Sequence, residues 1–75
     1  MTVEELFKKL EKKEVPESAY SLNGGFPNDA YCLFRNELGW EVYYSEGGEK
    51  KKARQFFDES SACQYLYDKV KKLGK

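Results

Sequence analysis

The chain has no histidine, a single tryptophan, a single methionine, two prolines and two cysteines among 75 residues. Without histidine there is no Ser-His or Cys-His nucleophile pair and no imidazole ligand for a metal. Cys32 and Cys63 are too few for a disulfide scaffold and stand without flanking ligands, so they do not read as a zinc site. Both fall in apolar patterns, where a reduced thiol packs as a small hydrophobe. A net charge of one sign is missing as well: thirteen Lys and Arg balance thirteen Asp and Glu. No global field therefore draws the chain to nucleic acid or to an anionic membrane, and an electrostatic partner has to meet a local patch. There is no run of 18 apolar residues, and the opening Met1-Thr2-Val3-Glu4-Glu5 is acidic and amphipathic, unlike a secretory leader. A cytoplasmic location is the expectation. What the chain does have is 40% apolar and 16% aromatic residues beside 35% charged ones, the composition of one small, well-solvated domain spanning residues 1–75.

Thr2 followed by Glu5 is a capping box, and Val3, Leu6, Phe7 and Leu10 recur at helical spacing, predicting a helix from about Val3 to Lys13. Glu4 and Lys8 make an i, i+4 pair on its solvated face. Pro16 forces an exit into extended structure. Ala19 to Leu22 is a short candidate strand, followed by turn chemistry from Asn23 to Asp29 with Gly24 and Gly25 in it. Ala30 to Arg35 and Trp40 to Ser45 alternate as strands across a hairpin turn at residues 36–39. After a turn at residues 46–49, Lys50 to Phe57 returns as another strand, its polar lysines suited to a sheet edge. Asp58 is a good N-cap for a last helix whose stripe is Ala62, Cys63, Leu66, Val70 and Leu73, with Gly74 ending it. The predicted class is α+β: an N-terminal helix, a three- to four-stranded antiparallel meander and a C-terminal helix, both helices on one sheet face and the other face left to solvent.

Charge is unevenly distributed. Between Glu17 and Glu49 there are six acids (Glu17, Asp29, Glu37, Glu41, Glu46, Glu49) and one base, Arg35, whereas four of the five residues from Lys50 to Arg54 are basic. If the helices take the Cys32 and Val42 side, the exposed face carries Tyr31, Leu33, Glu41 and Tyr43. Tyrosines set among acids suit a protein contact better than a phosphate backbone, which an acidic surround repels. Carboxylate pairs such as Glu46 with Glu49, or Asp58 with Glu59, lie in turns and caps with no apolar pocket around them, so no catalytic site, metal or cofactor is expected.

The segment Gly39-Trp40-Glu41-Val42-Tyr43-Tyr44-Ser45-Glu46-Gly47-Gly48, the basic strand ending Phe56-Phe57-Asp58, the helix start Ala62-Cys63-Gln64-Tyr65-Leu66-Tyr67 and the earlier Ala19-Tyr20-Ser21-Leu22-Asn23-Gly24-Gly25 resemble small immunity proteins of bacterial polymorphic and contact-dependent inhibition toxins. The resemblance spans about two thirds of the chain, from Ala19 to Tyr67, and contains no catalytic motif. It implies a bacterial cytosolic protein that binds its cognate toxin domain and blocks the active site or access to substrate. Such toxins include nucleases with basic clefts, toward which an acidic patch steers encounter. The expected contact residues are Tyr31, Glu37, Glu41, Tyr43 and Glu46, with no nucleic acid, membrane or small-molecule substrate as partner. The same element order also resembles double-stranded RNA-binding domains, which place basic residues at the start of the last helix. Lys50-Lys51-Lys52-Ala53-Arg54 is similar to that start, but Gln55-Phe56-Phe57-Asp58 separates it from the helix. An assembly module that dimerises through its sheet edge is a third reading.

Overall fold

A computed structural model describes residues 1–75. Thr2 Oγ1 accepts from the Glu5 amide at 3.2 Å while Glu5 Oε1 accepts from the Thr2 amide at 2.8 Å, so the capping box closes and starts helix α1, Val3–Lys12. Its other end is a Schellman motif, with Val15 N–H donating to Leu10 C=O and Glu14 N–H to Glu11 C=O, both at 3.0 Å. Leu10 and Val15, the hydrophobic pair that accompanies this motif, both enter the core. After Pro16 a single 3-10 turn (Glu17–Ala19) leads into β1, only Tyr20–Ser21. Then follow β2 (Ala30–Asn36), β3 (Gly39–Glu46), β4 (Glu49–Phe56) and helix α2 (Glu59–Val70), which tightens into a 3-10 turn over Lys71–Leu73. Leu73, expected on the buried stripe of α2, is therefore half-exposed.

The sheet order is β1-β2-β3-β4. β2, β3 and β4 form the expected antiparallel meander, and β4 is an edge. Its two hairpin turns are two residues each, Glu37–Leu38 and Gly47–Gly48; the latter pair has φ of +58° and +77°, the doubly left-handed turn whose twist suits a hairpin. β1, however, pairs with β2 in parallel, Tyr20 opposite Tyr31 and Ser21 opposite Cys32, so the sheet is mixed rather than purely antiparallel. A tight turn after Leu22 would have reversed the chain beside itself. Instead residues 22–29 cross over the sheet before β2 begins, and a strand of two residues tolerates so short a crossover.

Register corrects the expected faces. Leu33 lies opposite Val42 and Cys32 opposite Tyr43, which puts Cys32 and Val42 on different sides of the sheet. The helix side carries Leu33 and Val42, packed with Leu6 and Leu10 of α1 and Ala62, Cys63, Leu66 and Val70 of α2 into the core. Both helices thus cover one face, as expected, with α2 across β2 and β3 and α1 beside α2. They run in the same direction. At their N-terminal ends Val3 N–H donates to Glu59 Oε2 at 2.8 Å, and at the other end Lys75 N–H donates to Lys13 C=O at 2.7 Å.

The second face is not bare. Ala30, Cys32, Tyr43 and Ser45 lie on it and are all buried. Their cover is the crossover itself, a strap over residues 22–29 held by Gly24 N–H donating to Leu33 C=O at 3.0 Å and by Tyr43 O–H donating to Gly25 C=O at 2.7 Å. Gly24 has φ +70° and sits where a Cβ would fall 2.7 Å from Phe34 Cδ1, so both its backbone and its lack of a side chain are required.

Candidate functional site

The candidate surface is the strap face, and Tyr43 is its centre rather than an exposed contact. It is 3% exposed, with the Phe26 ring 6.4 Å away between centroids and the Lys50 ammonium 4.8 Å from its own ring centroid. Burial above all pushes its hydroxyl up to about 12, with the Cys32 thiol next to it and the Glu41 carboxylate adding to the shift. Tyr43 therefore stays protonated and works as a clamp, its donated hydrogen bond fixing the strap at Gly25. Cys32, its cross-strand partner, is likewise raised by burial, and its thiol donates to Ala30 C=O at 3.8 Å. Ser45 Oγ, also under cover, is buried with no hydrogen-bond partner.

What the strap leaves accessible is aromatic. Phe26 on the strap is 59% exposed and Phe34 on β2 is 45% exposed, and both flank the Tyr43 clamp. Neither was singled out from the sequence; the signal was there in the alternation of Ala30, Cys32 and Phe34, but reading it required the register. Glu41, cross-strand from Phe34, points to this face as well. Its carboxylate meets Lys50 Nζ at 2.9 Å. Glu46 meets Lys51 Nζ at 2.7 Å, a contact that holds the Glu46 carboxyl below its ordinary range and the Lys51 ammonium above its own. The acidic residues of β3 are thus matched by the lysines of β4, and the surface is more balanced than the run of acids along the chain implies. Glu37 stands exposed in the β2–β3 turn, where Asn36 Oδ1 accepts from the Leu38 amide at 3.0 Å.

Tyr31 is placed elsewhere. It packs at the margin of the helix-side core, its ring 5.0 Å from that of Tyr44, and the expectation that it shares an open face with Tyr43 fails because the register separates the two. Leu33, expected on that same face, is fully buried under the helices. Of the five expected contact residues, Glu37, Glu41 and Glu46 remain accessible in whole or part and Tyr43 is buried, while Tyr31 lies on the opposite side, to which the alternation of β3 also assigns Glu46.

The thiols sit in separate places, Cys32 under the strap and Cys63 in the helix-side core, both free and buried. The dipole of α2 does not activate Cys63; burial first, then the Glu59 carboxylate, push its thiol up to about 11. No group of three or more His, Cys, Asp or Glu side chains gathers to hold a metal. The basic run forms β4, not the start of α2, which instead opens on Asp58 and Glu59, with Asp58 Oδ2 accepting from the Ser61 amide at 2.9 Å. That hydrogen bond, with the Ser61 hydroxyl, holds the Asp58 carboxyl below its usual range. No helix is long and apolar enough to cross a membrane. The chain matches no protein-family model, no curated protein and no solved structure.

Proposed function

We propose that the protein is a binding module of the immunity type, which neutralises a cognate bacterial toxin domain by covering its active site or the approach to it. The observation that carries this reading is the pair of accessible rings, Phe26 on the strap that Tyr43 clamps from beneath and Phe34 beside it on β2. Rigid aromatic anchors lose little entropy on docking and supply the centre of a protein contact. Glu41, cross-strand from Phe34, and Glu37 in the adjoining turn form a polar margin of the kind that sets encounter rate and specificity more than affinity. A duplex-RNA contact has less to support it, because the start of α2 is acidic and two of the four basic residues between Lys50 and Arg54 are engaged by Glu41 and Glu46.

The test is to capture partners with the tagged protein in nuclease-treated bacterial lysate, then to ask whether co-expression restores growth to cells expressing the captured toxin domain. A stoichiometric toxin partner, with growth restored, is the expected result. Replacing Phe26 and Phe34 together by serine should weaken that complex by roughly 100-fold, the cost of removing two central anchors, while circular dichroism stays unchanged. Capture that disappears on nuclease treatment, or growth that is not restored, overturns the reading in favour of nucleic acid or assembly.

A further inference from the structure

The C-terminal ends of α1 and α2 lie together, because the helices run in parallel and Gly74 abuts the Lys13 carbonyl. Residues 9–14 and 68–75 hold seven lysines (Lys9, Lys12, Lys13, Lys69, Lys71, Lys72, Lys75) against Glu11, Glu14 and Asp68, a side-chain charge of +4. Complementing two helix ends accounts for only about one unit of charge in total. Part of the remainder is internally matched: Lys71 pairs with Asp68 at 3.3 Å and Lys75 with Glu14 at 3.7 Å. Lys9, Lys12 and Lys13 pair with no carboxylate. They repel one another along α1, Lys9 with Lys13 at i, i+4 and with Lys12 at i, i+3, a spacing that a soluble helix has no need to fill with like charges. These three lysines and Tyr67 line a hollow of about 300 Å³, with Lys9 Nζ held 5.2 Å from the Tyr67 ring centroid.

We propose that this hollow binds a compact anion carrying two or more phosphate groups, with the ammonium groups of Lys9, Lys12 and Lys13 as its direct partners and Tyr67 fixing Lys9. Ammonium groups on flexible stems suit phosphate oxygens as point charges. A multiply charged anion relieves the repulsion among all three lysines at once, which a carboxylate of single charge does not. The space admits a compact group rather than a folded partner, and it lies at the helix ends, on the other side of the sheet from Phe26 and Phe34, so the inference stands or falls apart from the proposed toxin contact.

The probe is sodium tripolyphosphate, titrated at constant ionic strength into the full-length protein while amide shifts are followed by NMR. Saturable one-to-one shifts at Lys9, Lys12, Lys13 and Tyr67 are expected. The Lys12→Gln/Lys13→Gln double variant, which keeps helix-forming residues in place, should bind at least about tenfold more weakly. A Lys52→Gln/Arg54→Gln variant in β4 should bind as the parent does. Sedimentation with cardiolipin vesicles, whose headgroup carries two phosphates, distinguishes the source of the phosphate: retention that tripolyphosphate competes away assigns a lipid headgroup, and saturable tripolyphosphate binding without retention assigns a free anion. Shifts that spread over all surface lysines without saturating, equal affinity in the α1 double variant, or binding of vesicles or duplex RNA with no saturable tripolyphosphate site would each overturn the proposal.

Discussion

At the scale of single residues, two positions run against local preference and make sharp tests. Glu14 occupies the left-handed C′ position of the Schellman motif at φ +59°, where glycine is the usual occupant. Its exposed contact with Lys75 at 3.7 Å contributes little. Glu14→Gly should therefore raise stability by about 0.5–1 kcal/mol, read as a higher urea midpoint at unchanged slope. Cys63 is the second. With its thiol pushed up to about 11, it should resist iodoacetamide at pH 8 in the native state and react at once in denaturant. Rapid native alkylation at Cys63 would show that the core around α2 opens locally.

Among the elements, the strap has the most to reveal, because a segment without regular secondary structure covers Ala30, Cys32, Tyr43 and Ser45 on one face of the sheet. Tyr43→Phe keeps the buried ring and removes only the hydrogen bond to Gly25 C=O. The loss expected is about 1 kcal/mol, with faster amide exchange confined to residues 23–29. Ser45→Ala acts in the opposite sense. Its hydroxyl is buried without a partner, so removing it should leave stability unchanged or raise it by about 1 kcal/mol. A clear loss there would mean that Ser45 has a polar partner beneath the strap. β4 guards the exposed edge of the sheet with lysines and with a bulge, where Lys52 turns left-handed at φ +54° and the register slips between Val42 and Tyr44. Those features disfavour edge-to-edge pairing of two copies and count against the assembly reading.

For the whole molecule, pH dependence follows from groups whose ionisation differs between folded and unfolded chains. Glu5, Glu46 and Asp58 are held below their ordinary values by Thr2, Lys51 and Ser61 respectively, so their contribution is present above the unfolded carboxylate range and is lost as pH falls through their folded values. Cys63 and Tyr43 are raised, to about 11 and about 12, so their neutral forms favour the fold fully below the unfolded values of 9.0 and 10.0, and that advantage is lost as pH rises through the folded ones. Urea midpoints measured from pH 3 to pH 11 should trace a plateau between about 5 and about 9, falling on both sides. With no histidine in the chain, no step is expected near pH 6.5.

Local signals determined most of the elements. The capping box at Thr2 and Glu5, the N-cap at Asp58, the alternation of β2 and β3 and the polar edge of β4 are written in residues near one another along the chain, and each element begins within about two residues of where those signals place it, although α2 gives way to a 3-10 turn after Val70, before the expected end at Gly74. Which face of each strand goes inward is another matter. Both faces of β2 are apolar, so alternation alone does not orient it, and only the pairing of Leu33 with Val42 sends Tyr31 toward the helices and Cys32 beneath the strap. The path of residues 22–29 was equally hidden, because glycine, proline and asparagine announce a turn without saying what it crosses. Tertiary structure alone decided that β1 pairs in parallel, that Tyr43 is a buried clamp, that Phe26 and Phe34 are the accessible rings of the strap face, and that the lysines of two separate helices share one end of the molecule. Each of these depends on contacts between residues distant in the chain, and such contacts are set by the register and by how the layers stack rather than by any local preference.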